Sequence, residues 1–167
     1  MWVSFDQLPD SSRIWVYQAS RKLSASEIAM MEETLKDLCN SWKAHGAELH
    51  TSFSIQYSQF ILLGVDESMA GASGCSIDGS VRQLKEIQSH IGIDLFDRTQ
   101  VAFLSGETVE VVKMTDLKNH FLSGRLNGAS LLFNNAISQK GDLKKNWLIP
   151  VEKSWLVKYL PKTTLQE

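Results

Sequence analysis

The sequence predicts an α+β fold: a ferredoxin-like βαββαβ core over residues 11–105, continued by a C-terminal α/β extension over 106–167 packed on it within a single domain. Three observations predict this. Hydrophobic periodicity switches between strand and helix type in the order β-α-β-β-α-β. The first and third strand-like runs are apolar on both faces, as central strands are, while the second is apolar on one face, as an edge strand is. Both helix-like stretches carry end signals.

Arg13 to Gln18, reading Arg-Ile-Trp-Val-Tyr-Gln, is β-prone and apolar on both sides. Ser24 opens the first helix, and Glu27 completes a capping-box pattern. Ile28, Met31, Leu35, Leu38 and Trp42 recur at spacings of three and four, forming one buried stripe. Gly46 is the expected stop. From Thr51 to Tyr57, Phe53, Ile55 and Tyr57 alternate with Ser52, Ser54 and Gln56, an edge-strand pattern. Gln59 to Asp66 follows as the central strand, so the two form a hairpin about Ser58 without the favoured Asn-Gly. Asp78 or Ser76 is expected to cap the second helix, whose stripe is Val81, Leu84, Ile87 and Ile91 and whose stop is Gly92. Val101 to Leu104 completes the core.

Further on, Thr108 to Met114 reads as a strand after a turn at Ser105-Gly106-Glu107. Thr115 opens a short helix ending at Gly124, and Ala129 to Asn134 and Trp147 to Val151 read as extended. Ser154 to Leu160 reads as a last helical turn stopped by Pro161. A ferredoxin-like sheet has helices on one face only. Trp15 and Tyr17, on a strand apolar on both sides, therefore require a second cover. The C-terminal segment is the expected cover, and a homodimer stays open beside a monomer.

Composition bounds the function. At 167 residues, 43% hydrophobic and 22% charged, the chain can bury a core without disulfides. Cys39 and Cys75 make no disulfide framework and no zinc-module spacing. Met1 to Asp6 lacks a basic leader region, and the longest uncharged run, Thr51 to Val65, is too short and polar to span a bilayer. A cytoplasmic protein without membrane insertion is the expectation. Net charge is −2, but residues 140–162 hold six Lys against Asp142 and Glu152, a local +4 that leaves −6 elsewhere. Trp147, Trp155 and Tyr159 lie among those lysines, a pairing used for single-stranded nucleic acid. The third strand offers Ile61, Leu62, Leu63 and Val65 where an RNA-recognition sheet carries aromatics, with Phe60 alone at its start, so nucleic acid is not the expected partner.

Three segments together carry a resemblance: Phe5-Asp6-Gln7-Leu8-Pro9 leading to Arg13 through Ala19; Asp66-Glu67-Ser68 leading to Ala72 through Asp78; and Phe133-Asn134-Asn135 with Asn146-Trp147. Over nearly its full length the chain resembles a family of small Bacteroidota proteins that often bear the automatic label "ABC transporter ATPase". That label implies a phosphate-cradling Gly-x-x-x-x-Gly-Lys-Ser/Thr loop. The chain has no Gly-Lys pair and no Gly-x-Gly-x-x-Gly, so the residues exclude a P-loop ATPase.

The candidate site is the small-residue stretch Gly71 to Ser80, between the most apolar strand and the second helix. Small residues leave backbone N–H groups uncovered, and a helix start adds partial positive charge. Ser73, Gly74, Cys75, Ser76, Asp78 and Ser80 are the candidate ligand-binding residues for a small anionic ligand or a partner protein. The leading expectation is a cytosolic binding or regulatory module without a cofactor. A thiol just before a helix also suits a nucleophile, so a small enzyme using Cys75 is the alternative, with His90, His120 or Arg98 as groups that could approach it. A structural dimerisation module is the third. Asp66, Glu67 and Asp78 flank the loop but read as caps rather than a Mg²⁺ site. Cys39, His45 and His50 lack the fourth ligand of a closed zinc site, and no metal is expected.

Overall fold

The first strand forms where its residues predict it. In the computed structural model, which describes residues 1–44 and 47–162, β1 is Arg13–Gln18. Helix α1, Ala25–Ser41, starts at the expected capping box: Ser24 Oγ accepts the Glu27 N–H at 3.3 Å, and the Glu27 carboxylate accepts the Ser24 N–H at 2.8 Å. Arg21 forks onto the same carboxylate at 2.8 and 2.9 Å. That bond, followed by the Ser24 N–H, holds the Glu27 carboxyl down to about 2. Met31, Leu35 and Leu38 are buried as the stripe requires, and Trp42 is the C-cap. Gly46, the expected stop, lies outside the described residues.

A short ribbon of β2 (Lys43–Ala44) and β3 (Ala47–Glu48) precedes β4 (His50–Gln56) and β5 (Phe60–Asp66). Helix α2 is Gly74–Ile91, closed by Gly92 at φ 72°. Then come β6 (Gln100–Ser105), β7 (Thr108–Lys113), α3 (Leu117–Leu122), β8 (Leu131–Phe133) and β9 (Leu148–Pro150). Short 3-10 turns lie at Phe5–Gln7, Lys140–Lys144, Val151–Lys153 and Trp155–Tyr159.

The class is α+β, but the strand order departs from the ferredoxin-like expectation. One antiparallel sheet runs β1-β5-β4, with Trp15 opposite Leu63 and Phe53 opposite Leu63 on the other side. The other runs β7-β6-β8-β9. The fourth core strand, β6, therefore leaves the first sheet. Where it would pair with β1, the Ile14 N–H donates to Ser138 O and the Lys140 N–H to Ser12 O instead. β1 is thus not central. It is apolar on both faces because it is sandwiched between layers, and burial alone does not distinguish the two positions.

The two sheets pack face to face with helical segments outside both, giving four layers. Ile61, Leu63 and Val65 of β5 face α1 and α2, with Trp15 stacked on Trp42 at 5.8 Å and Tyr17 edge-on to Phe96 at 5.6 Å. Ile14, Phe60 and Leu62 face Ala102, Phe133 and Trp147 between the sheets. Val101, Phe103, Val112 and Leu132 face α3, Val151 and Leu156 on the far side. The second sheet covers β1 at Ile14 and Val16, whereas Trp15 and Tyr17, for which a C-terminal cover is expected from the sequence, are covered by the helical layer instead. The outer edge of β4 is met by the Trp2–Thr51 parallel bridge, and Ser52 Oγ donates to Val3 O at 2.7 Å.

The β4–β5 turn places Tyr57 at φ 53° and Ser58 at φ 52°, the left-handed region usually filled by Asn-Gly. Each non-glycine residue there costs about 1–2 kcal/mol. Compensation comes from a distance. The Leu23 N–H donates to Ser58 O at 2.8 Å, the Ala19 N–H to Gln59 O at 2.7 Å, and buried Gln59 Nε2 to Ala19 O. Tyr57 packs on Phe133 at 5.1 Å and Trp147 at 5.9 Å, pinning the turn to the second sheet.

Gly64 seats the N-terminal turn on β5. A Cβ there would stand 2.6 Å from Leu8 Cδ1 and 3.5 Å from Phe5, and Leu8 is buried. Gly64→Ala is expected to cost about 1–3 kcal/mol of unfolding free energy. In urea titrations, Gly64→Ala combined with Leu8→Ala should cost less than the sum of the two; strict additivity would show that the Leu8 contact is not the cause.

Candidate functional site

Helix α2 begins earlier than its Ser-Asp sequence suggests, inside the small-residue stretch. Its cap is Ser73, not Asp78 or Ser76: Ser73 Oγ accepts the Ser76 N–H at 3.2 Å. Ser73 O accepts the Ser76 hydroxyl at 2.8 Å and the Ile77 N–H at 3.0 Å. Ser76 is thereby tied to the cap through both its backbone and its side chain. Asp78 falls one turn inside the helix and is exposed, and no acidic residue lies in the first turn. A neutral hydroxyl therefore caps a helix of 18 residues, with no carboxylate in its first turn to offset its N-terminal partial charge.

Gly74 and Cys75 occupy the first two helical positions and both are exposed. Their N–H groups precede the first intrahelical bond, so they point outward from the helix start. Nothing stands within 4 Å of a Cβ built on Gly74 or Gly71, so the approach is open. Ser80 is turned the other way: it is buried, and its hydroxyl donates to Ile77 O at 2.7 Å. The surface thus brings together Ser73, Gly74, Cys75 and Ser76, with Asp78 at its border and Ser80 behind it.

The preceding loop is clasped by charge. The Glu67 carboxylate accepts the Ala72 N–H at 2.9 Å and lies 3.8 Å from Arg13 Nη1. The Arg13 guanidinium rests 4.7 Å over the Trp15 ring, and Trp15 stacks on Trp42. Ala70 and Ala72 pack against the same core cluster as these two indoles. Asp66 is a turn-former whose carboxylate accepts the Ser68 N–H at 3.0 Å. Asp66 and Glu67 therefore act on backbone N–H groups, and the described residues hold no group of three metal-capable side chains. The Arg13–Glu67–Ala72 clasp carries no sequence signal, because Arg13 and Glu67 meet only through β1–β5 pairing.

Neither histidine of the expected set approaches Cys75. His90 sits at the opposite end of α2, about 22 Å along the axis by the ordinary helical rise. His120 is on α3, in the outermost layer beyond the second sheet. Cys39 is inert for a different reason. It is buried within α1, and burial pushes its thiol up to about 12. His50 is exposed at the start of β4, and His45 lies outside the described residues.

A groove of about 330 Å³ runs between the helices, with Met31 and Ile87 among its lining residues and Thr34, Gln83, Glu86 and His90 as its polar ones. It lies toward the far end of α2 from Cys75, and no motif in the sequence marks it. Among the described residues no helix is long and apolar enough to cross a membrane. Comparisons with protein-family models, with curated proteins and with solved structures find no match to the chain.

The two thiols should separate cleanly under iodoacetamide. Cys75 is expected to alkylate in the native protein, and Cys39 only on unfolding, followed by peptide mass spectrometry. Because the folded Cys39 thiol is raised from about 9 to about 12, its contribution to stability is complete below pH 9. It is lost as pH climbs toward 12. A Cys39→Ala variant should show a weaker loss of stability over that alkaline window.

Proposed function

We propose that this protein is a cytoplasmic binding or regulatory module that recognises a small anionic ligand at the start of α2. One observation carries the reading: the Gly74 and Cys75 N–H groups are exposed at a helix N-terminus capped by neutral Ser73. The two N–H groups donate to the anion, and the Ser73 and Ser76 hydroxyls stay with the cap. Glu67, the nearest loop carboxylate in sequence, is partly offset by Arg13. This reading keeps the resemblance to the small Bacteroidota family and drops its ATPase label, since no Lys follows Gly74 to reach a terminal phosphate.

Inorganic phosphate is the probe. In amide-correlation NMR, the Gly74 and Cys75 signals are expected to shift saturably with phosphate. Ser73→Asp keeps a capping oxygen but adds a negative charge at the same place, and should abolish the shift while the protein remains folded. Resonances that stay fixed, or a Ser73→Asp variant that responds like the parent, would falsify the anion reading.

Exposure of Cys75 at the second helical position favours one second reading, a thiol-dependent enzyme. It requires thiolate reactivity at neutral pH. The alkylation rate of Cys75 would then reach its plateau well below the free-thiol midpoint of about 8.5. A midpoint at or above that value removes the enzyme and leaves the binder.

A further inference from the structure

We infer that the face formed by Trp155–Lys162 and the end of α3 is a peripheral docking surface for an anionic phospholipid bilayer. It lies in the outermost layer behind the second sheet, away from the α1–α2 layer, and does not depend on the Gly74 site.

The last 3-10 turn, Trp155–Tyr159, is anchored by one residue and presents others. Leu156 is fully buried against the second sheet's outer core. Ser154 Oγ accepts the Leu156 N–H at 3.1 Å and fixes the start of the turn. Trp155 is left 47% exposed and Val157 51% exposed. On neighbouring α3, Phe121 is buried and stacks on Tyr159 at 6.3 Å, while the next residue, Leu122, is 67% exposed. These are large apolar side chains that the protein does not bury in its own core.

Cations accompany them. Lys158 Nζ stands 5.5 Å over the Trp155 ring and 5.4 Å over the Tyr159 ring. Lys153 and Lys162 are exposed on either side, against Glu152 as the one carboxylate from Val151 to Lys162. Residues 151–162 hold three Lys against Glu152, a local +2 in a chain of net charge −2, so an anionic surface attracts this segment more than the rest of the molecule. Exposed indole and aliphatic groups ringed by lysines are what the interface of an anionic bilayer accommodates: the apolar tips enter the headgroup boundary and the ammonium groups meet phosphate.

The same residues suit nucleic acid less well. Base stacking needs open ring faces. Lys158 covers a face of both Trp155 and Tyr159, Phe121 stacks on Tyr159, and Trp147 is buried. Leu122 and Val157 offer nothing to a base and a favourable transfer to an acyl boundary.

The test is co-sedimentation of the full chain with vesicles of phosphatidylserine and phosphatidylcholine, against vesicles of phosphatidylcholine alone. Binding to the anionic vesicles only, falling with added salt, is expected. Lys158→Glu should weaken it roughly tenfold or more, since each lysine at such a surface contributes about fivefold. Trp155→Ala should weaken it comparably, and quenching of indole fluorescence by brominated lipid should drop in Trp155→Phe. Circular dichroism checks that these exposed-site variants stay folded. Absence of binding, equal binding to both vesicle types, or undiminished binding by Lys158→Glu and Trp155→Ala each overturns the inference. So does a single-stranded oligonucleotide that displaces the protein from anionic vesicles and whose own binding is lost in Trp155→Ala.

Discussion

Strand β5 is the constraint on which the other layers depend. It is hydrogen-bonded along both edges, to β1 and β4, and buried on both faces. Phe60 and Leu62 must meet one apolar partner layer, and Ile61, Leu63 and Val65 another. A three-stranded sheet with helices on one side meets only half of that demand. The second sheet supplies the other half and in turn needs α3 and the tail turns over its own outer face. The N-terminal turn follows from the same strand, since Leu8 fills the space left by Gly64.

Local chemistry was legible in the sequence, and distant pairing was not. The Ser24–Glu27 capping box, the Met31–Leu35–Leu38 stripe and the Gly92 stop are written within a turn or two of the residues they control. β1 and β5 were found with their bounds nearly intact. The partner of β6 was not, because Val101 to Leu104 is apolar in a way that either sheet satisfies. The two-sided β1 suggested a central place and turned out to be a flanking strand between two layers. At the site, three cap-capable residues follow one another at Ser73, Ser76 and Asp78. Asp78 or Ser76 is the cap expected from the sequence and Ser73 is the one that forms, because residue type alone does not choose among the three. The Arg13–Glu67 clasp was invisible for the same reason as β6: its members meet only through sheet pairing.

Electrostatics divides the molecule into distinct surfaces. At the start of α2, partial charge comes from aligned peptide groups under a neutral cap, with the Glu67 carboxylate held just before it on the Ala72 N–H and beside Arg13. In the outer layer, full charges on flexible lysines stand beside unburied indole and aliphatic groups. The first arrangement is short-ranged and geometric. The second acts over a Debye length and responds to salt. Separate layers of the fold carry them.

The Tyr57–Ser58 turn also bears on the order of assembly. A hairpin usually closes early because its ends are near in sequence. Here closing it first means holding two left-handed residues with only the Gln59–Gln56 backbone bond and the Tyr57–Phe60 edge contact, without the distant groups that later hold them. Leu23 and Ala19 belong to the β1–α1 connection, and Phe133 and Trp147 arrive from more than seventy residues away. The hypothesis that follows is an inverted sequence of events, in which distant docking precedes closure of the nearest strand pair. Its kinetic signature is a transition state still unformed at the turn, so φ-values near zero for substitutions at Ser58 support it and values near one exclude it.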